Sequence, residues 1–268
     1  MRFTERLRAL IAARASGRNG IFAYNGKIEG RMLAEQLGVR VPRLVSGPFD
    51  LEQWPSDPLE SVTIKPTGAS TARGVFPLMF DGAGYLPMWP EVLTSHDSFP
   101  WAYWRERSWQ EWQRYFGTPS GYDGQWMLEE LVEAPVGGVE FDWKCYVIHG
   151  RVGYVRQHQK IGRRAHDCRV RCWTREWEPI PGDVLIQSKR ADDTLSAPRH
   201  GPAIIDAAER IALELKKRTG TPFVRVDLYE DDDGPLFGEI TPHPSGGQQV
   251  YRDEWDVRLG RMWEAGAA

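Results

Sequence analysis

Alternating polar and apolar residues predict two strands and a turn within residues 223–247. Residues 223–229 and 236–241 alternate in this way, and residues 231–235 between them are typical of a turn. Successive side chains on a strand point to opposite faces, so a five-residue turn places Asp227 opposite Glu239 and Arg225 opposite Thr241. The polar face of this hairpin then carries Arg225, Asp227, Tyr229, Glu239 and Thr241. The apolar face carries Val224, Val226, Leu228, Leu236 and Ile240.

The facing carboxylates of Asp227 and Glu239 need an explanation, because like charges repel across a hairpin. A divalent cation would remove this repulsion, and Mg²⁺ binds carboxylate oxygens together with substrate phosphates. The alternative is an edge hairpin whose polar face is solvated. The pattern therefore leaves two interpretations, a metal site or an ordinary hairpin.

Periodicity along the rest of the chain predicts a mixture of helices and strands. Helices are expected at residues 1–16, 28–37, 101–116, 203–217 and 253–263. Strands are expected at residues 39–45, 61–66, 75–80, 125–132, 141–148 and 151–159.

A loop of small residues, 67–74, lies between two predicted strands and is flanked by Lys65 and Arg73. Small residues let backbone N–H groups approach phosphate oxygens, and the two cations offset anionic charge. The loop lacks the spacing of a strand-to-helix phosphate loop, so it is interpreted as a flap over a nucleotide. An ordinary hairpin loop is the alternative, and for the loop taken alone it is favoured. Lys65 is expected near solvent, because it precedes Pro66 at a strand end.

Tryptophans recur at helical spacing in residues 101–116. They are Trp101, Trp104, Trp109 and Trp112, and Phe116 continues the series. An aromatic platform for a sugar ring is one interpretation. A helix packed onto the core is favoured, because aromatic side chains bury large areas.

Three further positions carry candidate chemistry. The strand at 125–132 carries Glu129 and Glu130 near its end. Such an end could bind the edge of an adenine and ribose hydroxyls, or it could equally be a surface strand end. Lys144 lies inside a strand among apolar neighbours and needs a partner, for which a phosphate would serve. Arg156 lies on the return strand.

A metal site at His166, Cys168 and Cys172 is not expected. Their spacing fits no common zinc pattern, and Cys168, Val170 and Cys172 fall on one face of a strand. A structural role for the two cysteines is favoured.

Composition narrows the class of protein. The chain has 268 residues, 41% of them hydrophobic, so two or three packed lobes are expected. A net charge of −3 argues against a general nucleic-acid binder. Three cysteines, an amphipathic first segment unlike a signal peptide, and no apolar run near 18 residues favour a cytoplasmic protein without a membrane span.

The ordered set of motifs resembles the ATP-grasp superfamily and, within it, the TupA-like family of teichuronopeptide biosynthesis. The resemblance covers nearly the whole chain. It rests on KIEGRMLAEQLGVRVPRLV from Lys27, VTIKPTGASTARG from Val62, the Asp-x-Lys strand at 141–150, HDCRVRCWTREWEPI from His166, the terminal Glu254-Trp-Asp256 with Leu259-Gly260, and above all the block from Arg225 to Gly247. This last block reads R-V-D-x-Y, then G-E-x-T, then P-x-G-G.

The resemblance implies an α+β fold in which a nucleotide is held between two antiparallel β-sheet lobes with flanking helices. It implies three parts: residues 1–60 as a substrate-side lobe, 61–132 as the small lobe with the flap and the tryptophan-rich insert, and 133–268 as the lobe with the metal site.

The resemblance also assigns roles to residues. ATP would be bound by Lys27, Lys65, Lys144, the flap residues Gly68, Ser70, Arg73 and Gly74, and the adenine hinge of Glu129, Glu130, Leu131 and Val132. Mg²⁺ would be held by Asp227, Glu239 and Thr241, although Thr241 stands where many ATP-grasp ligases have Asn. Arg225 would face the acyl phosphate, and Arg156 is the second candidate catalytic residue.

The activity implied by the resemblance is that of an ADP-forming carboxylate–amine ligase. Its partners would be a small-molecule carboxylate and an amine, with an amino acid or a uronic acid in cell-surface polysaccharide or peptide biosynthesis as the expected acid. An ATP-dependent phosphotransferase and a non-catalytic nucleotide-binding module are the alternatives. The sequence does not identify the acid or the amine, the number of bound metal ions or the oligomeric state.

Overall fold

The computed structural model describes residues 1–15, 20–68, 74–88, 97–116, 124–132, 141–160, 168–186 and 190–266. In these ranges the chain forms two β-sheets with flanking helices, and the expected α+β fold is confirmed. The helices are α1 (Phe3–Ala15), α2 (Lys27–Gln36), α3 (Trp101–Phe116), α4 (Gly201–Thr219) and α5 (Asp253–Ala265). The strands are β1 (Leu44–Phe49), β2 (Val62–Pro66), β3 (Phe76–Phe80), β4 (Tyr85–Pro87), β5 (Trp126–Glu130), β6 (Phe141–Ile148), β7 (Arg151–Lys160), β8 (Cys168–Trp173), β9 (Pro179–Ile180), β10 (Arg190–Ala191), β11 (Phe223–Asp231) and β12 (Gly234–Thr241).

The first sheet has the strand order β1-β5-β2-β3-β4, and its strands are antiparallel. Helix α3 packs on it with Trp101 and Trp104 buried and with Trp109 and Trp112 partly buried against the same core. The favoured interpretation of the tryptophan-rich segment, a helix packed onto the core, is therefore confirmed.

The second sheet has the order β10-β8-β7-β6-β11-β12, with β9 paired to β8. Its strands are antiparallel except for β10, which runs parallel to β8. Helix α4 packs on one face through Ile204, Ala208, Ile211 and Leu215. At one end of the other face, α1 and α5 enclose a second core that includes Phe3, Leu7, Leu259 and Trp263.

The first sixty residues are distributed over both sheets. Helix α1 contacts α5, and α2 contacts β12, whereas β1 pairs with β5 of the first sheet. The prediction of a strand at residues 39–45 is wrong, because the observed strand β1 begins only at Leu44. Pro42 has no N–H for a ladder, and the Arg40 carbonyl accepts from the Phe237 N–H. The boundaries at residues 60 and 132 stay a prediction.

The hairpin of β11 and β12 confirms the predicted pairing but not the predicted turn. Asp227 lies opposite Glu239 and Arg225 opposite Thr241. The turn, however, has two residues, Asp232 and Asp233, because Asp231 pairs with Gly234. Such a turn alone would have put Glu239 on the face opposite Asp227.

A β-bulge at Gly238 restores the register. Leu228 pairs with Phe237 and Asp227 pairs with Glu239, which leaves Gly238 as the extra residue. Leu236 therefore lies opposite Tyr229 and not on the apolar face where the sequence placed it, and Phe237 joins the core instead. The bulge thus brings Glu239 to the same face as Asp227.

Gly238→Val is expected to lower the free energy of unfolding by about 1–3 kcal/mol, which is the usual cost of overpacking. A Cβ at this position would lie 3.0 Å from the Asp227 carbonyl oxygen and 3.0 Å from a Tyr229 ring carbon. Urea unfolding checks the value, with Gly20→Val as the control, because a Cβ at Gly20 meets nothing within 4 Å. Equal losses in both variants would contradict the role given to the bulge.

Within the described parts of the chain, no helix has the length and apolar character needed to cross a membrane.

Candidate functional site

A row of polar residues crosses one face of the second sheet. Cross-strand pairing joins Cys172 to Arg156, Arg156 to Lys144, Lys144 to Asp227, and Asp227 to Glu239. Directly paired residues share a face, so all five point to the same side of the sheet. The pair of Arg225 and Thr241 occupies the same face. Arg225 lies two residues before Asp227, and Thr241 lies two residues after Glu239.

Arg225 bridges the two facing carboxylates. Its Nε and Nη2 donate to Asp227 Oδ1 and Oδ2, both at 2.5 Å, and Nη2 also donates to Glu239 Oε1 at 3.1 Å. Nη2 lies 2.9 Å from Thr241 Oγ1 as well. The argument that this carboxylate pair needs a metal to offset its repulsion is therefore wrong, because Arg225 supplies the positive charge between them.

Lys144 is held by two carboxylates, and the phosphate contact expected of it stays a prediction. Its Nζ donates to Asp142 Oδ2 and, at 2.7 Å, to Asp227 Oδ2. Burial raises the pKa of Asp227, but the charges of Arg225 and Lys144 outweigh burial and the net pKa is lowered. Burial raises the pKa of Asp142, and the nearby charge of Asp227 adds to this rise while Lys144 opposes it. The two carboxylates that share one lysine thus have pKa values shifted in opposite directions.

Asp142 was not among the predicted site residues. The Asp-x-Lys spacing could have found it, because residues two apart on a strand share a face. Its Oδ1 is buried and accepts no hydrogen bond from the residues that the structure describes. An unsatisfied buried oxygen of this kind is costly, so Asp142 is better explained by a function than by stability.

Asp142→Asn is expected to raise the free energy of unfolding at pH 7 by about 1 kcal/mol, because the variant removes the charge of a carboxylate whose Oδ1 is buried without a hydrogen bond. The pKa of Asp142 is raised in the folded protein. Its ionised carboxylate therefore destabilises the fold fully above that pKa, and this destabilisation disappears as the pH falls toward the pKa of the unfolded chain. Urea unfolding should therefore show a gain at pH 7 that shrinks at pH 4. A loss at pH 7 would contradict the prediction.

Arg156 is buried, and its positive charge is compensated by Asp183, a residue that sequence analysis did not single out. Its Nε and Nη2 donate to Asp183 Oδ1 at 3.1 Å and Oδ2 at 2.5 Å. Its Nη1 lies 2.9 Å from His158 Nε2, which must act as the acceptor because arginine only donates. Asp183 follows β9 in a stretch without a recognisable motif. The catalytic role given to Arg156 stays a prediction.

The two cysteines of β8 are both buried on this same face, as predicted. Cys172 Sγ donates to Asp183 Oδ1 at 3.4 Å, and Cys168 Sγ lies 3.8 Å from His158 Nδ1. His166 lies outside the described residues.

A second cluster lies on the first sheet, around Glu129. Lys65 Nζ forms an ion pair with Glu129 Oε2, and Arg31 Nη1 donates to Glu129 Oε1 at 3.2 Å. Lys65 is 7% exposed and Glu129 is 5% exposed. The expectation that Lys65 lies near solvent is wrong, because a buried carboxylate on the neighbouring strand holds it.

The expected adenine hinge begins where β5 ends. The N–H groups of Glu130 and Leu131 donate to the carbonyl oxygens of Arg43 at 2.9 Å and Ser61 at 3.2 Å. Leu131 and Val132 follow the strand and are half-buried. These two N–H groups are thus engaged within the protein, and the adenine contact stays a prediction.

Lys27, at the start of α2, connects the two clusters. Burial lowers the pKa of Lys27 to about 8, with Glu239 and Glu129 acting to raise it and Lys65 to lower it further. Helix α2 contacts β12 of the second sheet, and its Arg31 donates to Glu129 of the first. The backbone N–H of Lys27 also donates to the Thr67 carbonyl at 3.0 Å, at the base of the predicted flap.

The flap is described only at its ends. Gly68 is exposed, whereas Gly74 is buried with a φ of +67°, and a Cβ there would lie 2.9 Å from the Trp126 ring. Ser70 and Arg73 lie outside the described residues.

The predicted metal ligands supply a donor set that fits Mg²⁺. Asp227, Glu239 and Thr241 offer carboxylate and hydroxyl oxygens on one face, and Thr241 Oγ1 lies 3.2 Å from Glu239 Oε1. The side chain of Glu239 is 34% exposed, whereas Arg225 and Lys144 engage both oxygens of Asp227. No group of three or more His, Cys, Asp or Glu suited to a metal occurs in the described parts of the chain.

The two antiparallel sheets with flanking helices match the fold expected of an ATP-grasp protein. The sequence model of the TupA-like ATP-grasp family matches residues 31–264. The chain therefore belongs to the TupA-like ATP-grasp family.

Solved structures of low sequence identity are similar to this chain. One is an L-amino acid ligase from Bacillus licheniformis, with 14% identity and a TM-score of 0.44, covering 83% of this chain and 41% of that one. Another is a D-alanine–D-alanine ligase from Bacillus anthracis, with 13% identity and a TM-score of 0.46, covering 92% of this chain and 68% of that one. This chain thus spans less than half the length of the first. No curated protein matches the sequence.

Proposed function

We propose that this protein is an ATP-dependent carboxylate–amine ligase that forms ADP through an acyl phosphate. Its membership of the TupA-like ATP-grasp family supports the use of ATP. The acid that we propose is an amino acid or a uronic acid, joined to a small-molecule amine during the synthesis of a cell-surface polysaccharide or a peptide. This choice of acid rests on analogy within the family.

The observation that carries the proposal is the position of helix α2, which begins at Lys27, against both clusters: α2 contacts β12 of the second sheet, and its Arg31 donates to Glu129 of the first. The first-sheet cluster supplies Lys65, the second-sheet cluster supplies Asp227 and Glu239, and the Lys27 N–H donates to the Thr67 carbonyl directly after β2. A polyphosphate bound to divalent cations suits such a site, because its phosphates attract the lysines and its cations attract the carboxylates.

In this proposal Lys27 and Lys65 bind phosphate oxygens, and Lys144 and Arg225 face the transferring phosphoryl group. Arginine suits that task because its planar fork can bind two oxygens at once. Asp227, Glu239 and Thr241 would hold Mg²⁺, which when bound neutralises charge on the phosphates. Leu131 and Val132 would contact the adenine, and Gly68, Ser70, Arg73 and Gly74 would cover the phosphates.

The reaction balances as two transfers. A carboxylate oxygen of the acid attacks the γ-phosphorus, the bond to the β-phosphate oxygen breaks, and ADP leaves. The amine nitrogen then attacks the carbonyl carbon, the bond to phosphate breaks, and an amide, phosphate and a proton result. The residues described above orient the reactants and offset the charge on the phosphoryl group.

Trapping with hydroxylamine tests this proposal without knowledge of the amine. The protein is incubated with Mg²⁺–ATP, hydroxylamine and pools of amino acids or uronic acids, and hydroxamate and ADP are measured. We expect equal amounts of both from one pool, and no hydroxamate from Glu239→Gln. ADP with a phosphorylated hydroxyl compound would identify a phosphotransferase, and binding of ATP without ADP release would identify a non-catalytic module.

A further inference from the structure

Arg31 is a buried arginine on α2 to which no role has been given above. Its Nη1 donates to Glu129 Oε1 at 3.2 Å and to the Pro42 carbonyl oxygen, and its Nη2 donates to Glu35 Oε1 at 3.1 Å. Arg31 is 8% exposed, close to the values for Lys65 and Glu129. Arg31 and Lys65 therefore share one buried carboxylate, each on a different oxygen.

Sharing the carboxylate leaves this buried trio with a net charge of +1. A single pair of Lys65 and Glu129 would be neutral, and the lysine would have little attraction left for an anion. Glu35 offsets Arg31 only weakly, because its side chain is 48% exposed and water screens it. The Arg31 guanidinium thus keeps the net charge of the trio positive.

Helix α2 also links this trio to the second sheet. Gly30 lies against β12 so closely that a Cβ there would be 3.1 Å from the Phe237 ring. The next residue, Arg31, reaches in the other direction to Glu129 on β5. Helix α2 therefore contacts both the sheet that carries Lys65 and the sheet that carries Asp227 and Glu239.

We infer that Arg31 is a positioning residue for nucleotide binding, which by sharing Glu129 leaves net positive charge beside Lys65 for the phosphates of ATP. The inference rests on the proposed function, since it requires ATP to bind at Lys65. It predicts an effect that grows with the number of phosphates, because each phosphate adds negative charge to the nucleotide.

The test compares Arg31→Met and Arg31→Lys in the full chain by calorimetric titration with Mg²⁺–ATP, ADP and adenosine. We expect Arg31→Met to bind ATP about tenfold more weakly, to lose less for ADP and to bind adenosine unchanged. Arg31→Lys should recover most of the loss, because it restores the charge. Arg40→Met is the matched control, since Arg40 pairs with Asp231 on the second sheet and does not touch Glu129.

A double variant, Arg31→Met with Glu129→Gln, separates charge from structure. It restores the net charge of the trio, so it should bind ATP more tightly than Arg31→Met alone. Equal losses for ATP and adenosine, or a double variant no better than the single one, would overturn the inference for Arg31 while leaving the proposed function intact. Failure of the unaltered protein to bind ATP would overturn both.

Discussion

Replacing Asp227 with Asn is expected to lower the free energy of unfolding by about 3–5 kcal/mol and to abolish turnover. Asp227 is 2% exposed, and its two oxygens compensate Arg225 and Lys144. Removing its charge leaves two buried cations competing for Asp142 and Glu239. Urea unfolding without nucleotide or Mg²⁺ measures the loss.

Glu239→Gln is the matched control for Asp227→Asn, because it removes the other carboxylate of the pair. Glu239 is a third exposed, and Arg225 retains its contacts with Asp227, so the loss should stay below about 1 kcal/mol. Both variants should be inactive, with very different stabilities. A rise in stability in either variant would mean that carboxylate repulsion dominates the site after all.

The stability that Asp227 confers should depend on pH in a defined direction. Its folded pKa is lowered, so the contribution is complete above the unfolded pKa of about 4 and is lost as the pH falls through the folded value. The difference between the unaltered protein and Asp227→Asn should therefore shrink as the pH falls below 4. A difference that grows on acidification would contradict this assignment.

Lys65→Met is expected to weaken ATP binding by roughly one to two orders of magnitude, because a charge-assisted contact with phosphate is lost. Glu129 keeps Arg31 as a partner, so the fold should survive with a cost of about 1–3 kcal/mol. Titration with Mg²⁺–ATP measures the affinity, and Lys217→Met on α4 is the control because its side chain is 80% exposed. Unchanged affinity in Lys65→Met would exclude it from the nucleotide site.

The central hairpin shows how local pattern predicts pairing. The alternation of residues 223–229 and 236–241 gave the correct partners for Asp227 and Arg225. It did so although the turn is shorter than expected, because the bulge at Gly238 adds the missing residue. A single glycine in a strand does not reveal on which side of it the register changes, so the placement of Leu236 and Phe237 was beyond the pattern.

The partners of the buried charges were the part that the sequence could not supply. Arg31 and Lys65 meet at Glu129 from positions 98 and 64 residues away, and Arg156 meets Asp183 from a segment without a motif. Sequence analysis assigned phosphate to Lys144 and a metal to the carboxylate pair because each lacked a visible partner. Only the three-dimensional arrangement shows that these charges compensate one another across strands.

The central claim, reaction through an acyl phosphate, is tested most directly by following the oxygen of the carboxylate. The acid identified by the hydroxamate screen is labelled with ¹⁸O in its carboxylate and turned over with ATP and an amine. Mass spectrometry of the phosphate released should then show one ¹⁸O per amide formed, with ADP as the nucleotide product. Unlabelled phosphate, or label in AMP, would contradict the account.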